Sequence, residues 1–497
     1  MRHALITLSL AAALAAGCTT TVENPVTGKA ERSVMDERSE IAEGQKEHAQ
    51  VLAEYGAVKD PKLQAYVNEI GQRLAKNSHR ANLEWHFTAL DSDEVNAFAL
   101  PGGYVYVTRG LMAYMQSDAD LAGVIGHEIG HVTARHGAQR ATRQQTAGIG
   151  VLAATILGAV LESRGLGGAG DLAQQVSQGV AAGYIAKYSR EQESQADKLG
   201  AEYLSRVNYD PHNMVDVIEV LKNQERFAAD QARAEGRAPQ EGSDWLASHP
   251  TNDQRLRDIT AIADQYKAKG TYSDEGRARY LQAINGLAFG ESREQGVTRG
   301  RNFYHEPLGI ALTAPQGWKI QNAADTLALV NGEGSAGLIV RTVPPQAGAS
   351  HEDIIRNVVK PDSGRVERRT INGLSATHFT GTRKTEQGQS ANIEVTVVSG
   401  PSNRNYLFIY GAKDAQSLQR SYRQLQEAES SFRALSTADR TAARPWTLKT
   451  VAQPRGGFAE LARQSPLTSN AEQQLRLLNG VYPSGEPKPG QAVKVVE

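Results

Sequence analysis

Apolar positions recur at helical spacing in two stretches between Ser39 and Lys76, the second opened by Asp60-Pro61, a helix start with proline in its first turn. From Leu83 to Thr108 the period drops to two. Trp85, Phe87 and Ala89 alternate with polar neighbours, and Pro101-Gly102-Gly103 sets off Tyr104-Val105-Tyr106-Val107, which predicts strands joined by a tight turn. Ser117 with Asp120 three residues on predicts a capped helix ending near Gly137. Helices are also predicted within Asp171–Leu204 and from Pro211 to about Arg226, and the charged run Ala228–Glu241 reads as a solvated helix or linker. Ala147–Leu161 carries no charge and precedes the glycine-rich Gly165–Gly170. It falls short of a membrane span and reads as a buried helix with a mobile loop, or as an amphiphilic lip touching lipid or substrate. Near Arg301 the pattern changes to short β-rich runs such as Leu338–Val343 and Tyr406–Tyr410. With a helix at His351–Val359 and a closing helix at Asp414–Phe432, these predict a separate antiparallel α+β domain.

With 497 residues the chain is long enough for roughly three domains. A formal net charge of -1 gives no electrostatic reason for a nucleic-acid partner, and the single cysteine, Cys18, excludes intrachain disulfides. Arg2, the apolar run Ala4–Leu14 and Ala15-Ala16-Gly17-Cys18 read as an export signal too short to remain as a membrane anchor. The stretch before Cys18 resembles a bacterial lipoprotein signal, although the leucine favoured three places before the cysteine is Ala15 here. The resemblance implies loss of residues 1–17, lipidation of Cys18 and, because Thr19 rather than Asp follows, sorting to the outer membrane. Residues 18–38 would form a tether.

The chemistry concentrates in one helix. Between Leu121 and Val132 the only ionisable residues are His127, Glu128 and His131, in a setting of Leu, Val, Ile, Ala and Gly where ionisable groups rarely sit without a partner. His127-Glu128-Ile129-Gly130-His131 is an HExxH sequence whose two histidines, four apart, share one helix face within reach of a single zinc ion. Glu128 projects beside that metal, where it can take a proton from attacking water. A catalytic zinc needs a third protein ligand and an open position. The run from Tyr188 to Asp197 offers Glu193 and Asp197 four residues apart, so that one can bind metal while the other orients a ligand imidazole; Glu191 lies off that face.

These residues resemble the HtpX-like and CAAX-prenyl-protease-like gluzincins, family forty-eight of the metallopeptidases, over about Ser39 to Ala263. The resemblance rests on Asn96-Ala97-Phe98-Ala99-Leu100-Pro101-Gly102-Gly103, the HEIGH sequence, and Ser189-Arg190 leading into Glu193-Ser194-Gln195-Ala196-Asp197. It implies one zinc per chain held by His127, His131 and Glu193, with catalytic roles for Glu128 and Asp197 and polypeptide substrates; the export signal and Cys18 would place the catalytic unit in the periplasm. Ser248-His249-Pro250 also fits a family pattern in which the histidine lies at the cleft rim. His249 would touch zinc, substrate or the developing oxyanion, or serve as a structural loop residue. Asn96–Tyr106 would form the edge to which an extended peptide adds. His136 is expected to turn away from the ligand face and cap the helix's negative end.

From Arg444 the motifs Phe458–Arg463, Leu477-Leu478-Asn479-Gly480 and Lys488-Pro489-Gly490-Gln491 follow the order of LysM-like glycan-binding modules, with Arg455-Gly456-Gly457 where Gly-Asp-Thr is usual. The expected fold is α+β: a mainly helical zincin-like metalloprotease domain with a small edge sheet at 39–290, an antiparallel α/β sandwich accessory domain at 301–435, and a small LysM-like module at 441–497. Two functions are carried forward. One is a zinc endopeptidase clearing misfolded or stalled envelope proteins, with peptidoglycan or the envelope assembly machinery as further partners. The other is an outer-membrane chaperone or assembly factor whose zinc is mainly structural.

Overall fold

Capping and periodicity place the first helices where the sequence predicts them. Asp36 caps Glu37–Tyr55 through the Ser39 N–H, and Asp60 caps Pro61–Ala75 by accepting from the Lys62 and Leu63 N–H groups. Leu63, Val67, Ile70 and Leu74 of the second helix face the core. The computed structural model describes residues 20–146, 188–236, 238, 249, 253–267, 272, 275–323, 326–384 and 390–497. The expected signal peptide, Cys18 and the Ala147–Leu161 segment lie outside them. Among the described residues the fold is α+β, and no helix is long and apolar enough to cross a membrane.

The chain divides into two compact units. In the first, His86–Leu90 runs parallel to Tyr104–Thr108, which pairs antiparallel with Ala97–Leu100. Helices Pro61–Ala75 and Asp118–Thr133 share a core with this sheet through Leu74, Phe87, Ala97, Val105, Val107 and Ile129. All four residues of the edge strand Ala97–Leu100 are buried.

Residues 20–33, within the expected tether, and residues 446–497, within the expected small module, belong to the first unit. Thr20–Glu23 and Ala30–Ser33 pair as a hairpin packed on the unit: Gln139 donates to Glu31, and the Val34 N–H donates to Thr142. Trp446–Ala452 pairs with both Ala288–Phe289 and Ala492–Val496, and Leu448, Phe458, Leu475, Leu478 and Val493 belong to the same apolar core as Val105 and Ile129. The buried Lys494 Nζ donates to the Ala113 and Met115 carbonyls, at 2.7 and 2.6 Å, just ahead of the helix carrying His127. The physical reason is size: some fifty residues of short elements bury little apolar surface alone, and the rest of the first unit covers Phe458 and Leu478.

The second unit contains a four-stranded antiparallel sheet and a larger antiparallel sheet of seven strands. From one edge to the other they are Lys319–Asn322, Thr326–Val330, Ala336–Thr342, Asn405–Ala412, Ser390–Ser399, Leu374–Lys384 and Ser363–Ile371. Leu425 and Ala428 of the Ala415–Ser430 helix pack against Leu338, Val340 and Phe408 on one face. Ile354, Ile355 and Val359 cover Phe379, Val395 and Val397 on the other. Alternation along the strands serves both layers.

Truncating the fully buried ring of Phe458 is expected to cost the first unit about 3–5 kcal/mol. Urea unfolding followed by near-ultraviolet circular dichroism checks this. An unchanged midpoint would mean that the C-terminal segment contributes nothing to that core.

Candidate metal centre

The helix Asp118–Thr133 begins at Ser117, whose hydroxyl accepts from the Asp120 N–H. It stops earlier than the sequence predicts. Ala134 caps it and Arg135 takes a left-handed conformation, φ 59°, which turns the chain into the next helix, His136–Thr146. A non-glycine residue pays for that conformation only when its surroundings hold it. Here Arg135 Nε donates to Glu40 at 3.1 Å and its Nη2 to the Met35 carbonyl at 2.7 Å.

The helix Arg190–Arg206 crosses the HExxH helix at backbone contact. A Cβ on Gly130 would lie 2.9 Å from the Ala196 carbonyl, and one on Gly200 would lie 3.1 Å from the His127 nitrogen. Only glycine permits that approach. It brings Glu193 and Asp197 to the imidazoles.

His127 Nε2 and His131 Nε2 are 3.0 Å apart, and Glu193 lies 3.4 Å from His131 Nε2 and 3.6 Å from His127 Nε2. His249 Nδ1 joins them, 3.2 Å from His127 Nε2 and 3.0 Å from Glu193. The four donor atoms lie within 4.8 Å of one another and all four residues are buried. Bonds of about 2.0–2.1 Å in a tetrahedron separate neighbouring donors by about 3.3 Å, so this set has the spacing that a zinc-sized ion requires. Two imidazole nitrogens facing each other at 3.0 Å share either a proton or a cation.

Electrostatics run the same way. His127 Nδ1 donates to Asp197 at 2.9 Å, which fixes the tautomer that leaves Nε2 as a lone pair. Arg255 grips Asp197 through two hydrogen bonds of 2.8 Å and reaches Glu193 at 2.7 Å. Burial by itself would push both carboxyls up. Arg255 and His127 hold Asp197 below the usual carboxylate range, and His249 and His131 hold Glu193 well below it. Burial drives His131 well below the ordinary imidazole value and keeps it neutral. For His127 burial is outweighed by Asp197, Glu193 and Glu128, which raise it. Tyr188 stacks on His131 with ring centroids 3.8 Å apart. Glu128, fully buried, faces the cluster with its carboxylate 3.5 Å from His249 Nε2.

Residues 61–263 match the family model described as Peptidase family M48. This segment is an M48 peptidase domain. The relatives agree. Beta-barrel assembly-enhancing protease of Yersinia pestis is 32% identical over 240 residues, 48% of this chain and 46% of that protein. Its Escherichia coli (strain K12) counterpart is 32% identical over 237 residues, 46% of this chain and 45% of the relative. Mitochondrial metalloendopeptidase OMA1 of Schizosaccharomyces pombe is 28% identical over 232 residues, 46% of this chain and 62% of that protein. The chain thus spans about half the length of the first of these relatives.

All five residues singled out in the M48 domain from sequence, His127, Glu128, His131, Glu193 and Asp197, meet in one buried cluster, and His249 enters it as a fourth potential donor. Glu191 points outward to a surface groove. The expectation for His136 is overturned: it turns toward His131, with Nδ1 to Nδ1 2.9 Å, because the left-handed Arg135 redirects the chain. Arg255 was missed. It sits in the stretch after His249-Pro250, where an arginine in a polar helix gives no sign of being buried. The Tyr188 ring likewise has no signal beyond its nearness to Glu193.

Arg255→Met is expected to leave Asp197 and Glu193 facing each other without their cation, at a cost of about 3–5 kcal/mol. Arg255→Met combined with Asp197→Asn should cost less than the sum of the single changes. Urea midpoints of the three variants decide it, and strict additivity would show that the pair is not coupled.

Proposed function

We propose that this chain is a zinc-dependent endopeptidase of the bacterial cell envelope, acting on misfolded or stalled envelope proteins. One observation carries the reading. Glu128 lies fully buried beside a convergent His127, His131, Glu193 set inside an M48 domain. Zinc held there supplies a Lewis acid that polarises a peptide carbonyl and lowers the pKa of water. Glu128 accepts the proton of the attacking water and returns it to the departing amine. Asp197, clamped by Arg255, keeps the His127 ring in its ligand tautomer. The printed names of the bacterial relatives, beta-barrel assembly-enhancing proteases, support an envelope substrate. The export signal and Cys18 support a periplasmic, lipid-anchored location at the outer membrane. The Thr20–Ser33 hairpin would then hold the peptidase unit close to the bilayer, since it packs directly on that unit. Peptidoglycan and the assembly machinery remain partners proposed from sequence.

The donor set also favours a second reading. Four protein donors around one ion is the arrangement of a structural zinc, whereas catalysis needs an open position. On that reading the chain is a chaperone or assembly factor. On the peptidase reading, His127, His131 and Glu193 alone would hold the ion and His249 would not be a permanent ligand.

Glu128→Gln separates the two. It is expected to keep one zinc per chain and to lower casein cleavage by about 10²–10⁴-fold. Undiminished cleavage sinks the mechanism. Full complementation of a deletion strain by the cleavage-dead variant favours the chaperone.

A further inference from the structure

The two imidazoles of the HExxH helix are held by unlike partners. His127 donates its Nδ1 proton to a carboxylate, Asp197. His131 Nδ1 instead faces another imidazole, His136 Nδ1, at 2.9 Å with the rings at 70°, and His136 Nε2 is 3.0 Å from the Gln195 side-chain oxygen.

Only one proton arrangement of this chain is compatible with a metal on His131. A neutral imidazole that ligates through Nε2 carries its proton on Nδ1, so His131 must donate and His136 Nδ1 must accept. The proton of His136 then sits on Nε2 and requires an acceptor, which Gln195 provides through Oε1. Were the Gln195 amide turned to present its NH₂, His136 Nε2 would accept and Nδ1 would carry the proton. His131 would then be left with its proton on Nε2, the atom that the metal needs. The orientation of one amide therefore selects the ligand tautomer two residues away.

We infer that His136 and Gln195 are positioning residues that set the tautomer and ring orientation of His131, and through them the affinity of the site for zinc. The inference rests on the zinc reading above and extends it. Gln195 is half-buried and lines a groove with His79, Arg190, Ser194 and Lys198 on the outer face of the Arg190–Arg206 helix. The proton chain thus runs from the buried centre to the surface. Groups that support a metal-bound histidine in this way typically contribute 10–100-fold in metal affinity.

The test is zinc competition between the full chain and a chromogenic chelator. Gln195→Leu is expected to weaken zinc about tenfold with an unchanged urea midpoint, because the position is half-exposed. Gln195→Glu, an obligate acceptor, should bind at least as tightly as the parent. His136→Phe should lose more than Gln195→Leu. Affinities of Gln195→Leu and Gln195→Glu both within twofold of the parent would overturn the inference, as would an equal loss in the two. A parent that binds no zinc overturns the zinc reading itself and this inference with it, so the two failures are distinguishable.

Discussion

The site depends on backbone contact between the HExxH helix and the helix Arg190–Arg206. Gly126, Gly130 and Gly200 remove the side chains that would hold the two apart. A Cβ at Gly130 would press on the Ala196 carbonyl, and backbone cannot yield as a side-chain tip can. At this separation the short side chain of Asp197 spans to His127 and Glu193 reaches both imidazoles.

Bringing those groups together creates a charge problem that Arg255 only partly solves. Glu128, Glu193 and Asp197 are all buried, and their desolvation is tolerable only with partners. Arg255 offsets one charge. The remaining excess is concentrated where four lone pairs converge, which is the condition that favours a divalent cation over further arginines. Fixing Asp197 by two hydrogen bonds also fixes His127, so the charge partner and the tautomer partner are one residue.

Segments distant in sequence supply the frame. Arg135, which turns the chain after the HExxH helix, is clamped by Glu40 in the first helix, and Glu40 is shared with Arg80. Before that helix, the Ala113 and Met115 carbonyls accept from Lys494 near the C-terminus. Both ends of the helix are thus set by residues far from it in sequence. Burial pushes the Lys494 amine well below its usual value, and its two hydrogen bonds tie the last strand to the chain ahead of the helix.

How much of this was legible in the sequence follows from the range of the interactions. Capping, helical and strand periods, the HExxH face and the Glu193/Asp197 spacing are local, and the sequence by itself determined them, including the α+β class and the antiparallel second domain. Local signals reach one helix turn or one strand. They could not show that Arg135 would adopt a left-handed backbone, because that conformation is stabilised by Glu40 and Met35, and so they sent His136 the wrong way. Nor could they bury Arg255, place His249 among the donors, or draw the last fifty residues into the peptidase core, since each depends on surfaces that exist only once distant segments pack. The sequence determined which ionisable groups share a helix face; the tertiary structure decided their partners, because charge compensation and close packing are properties of the assembled interior.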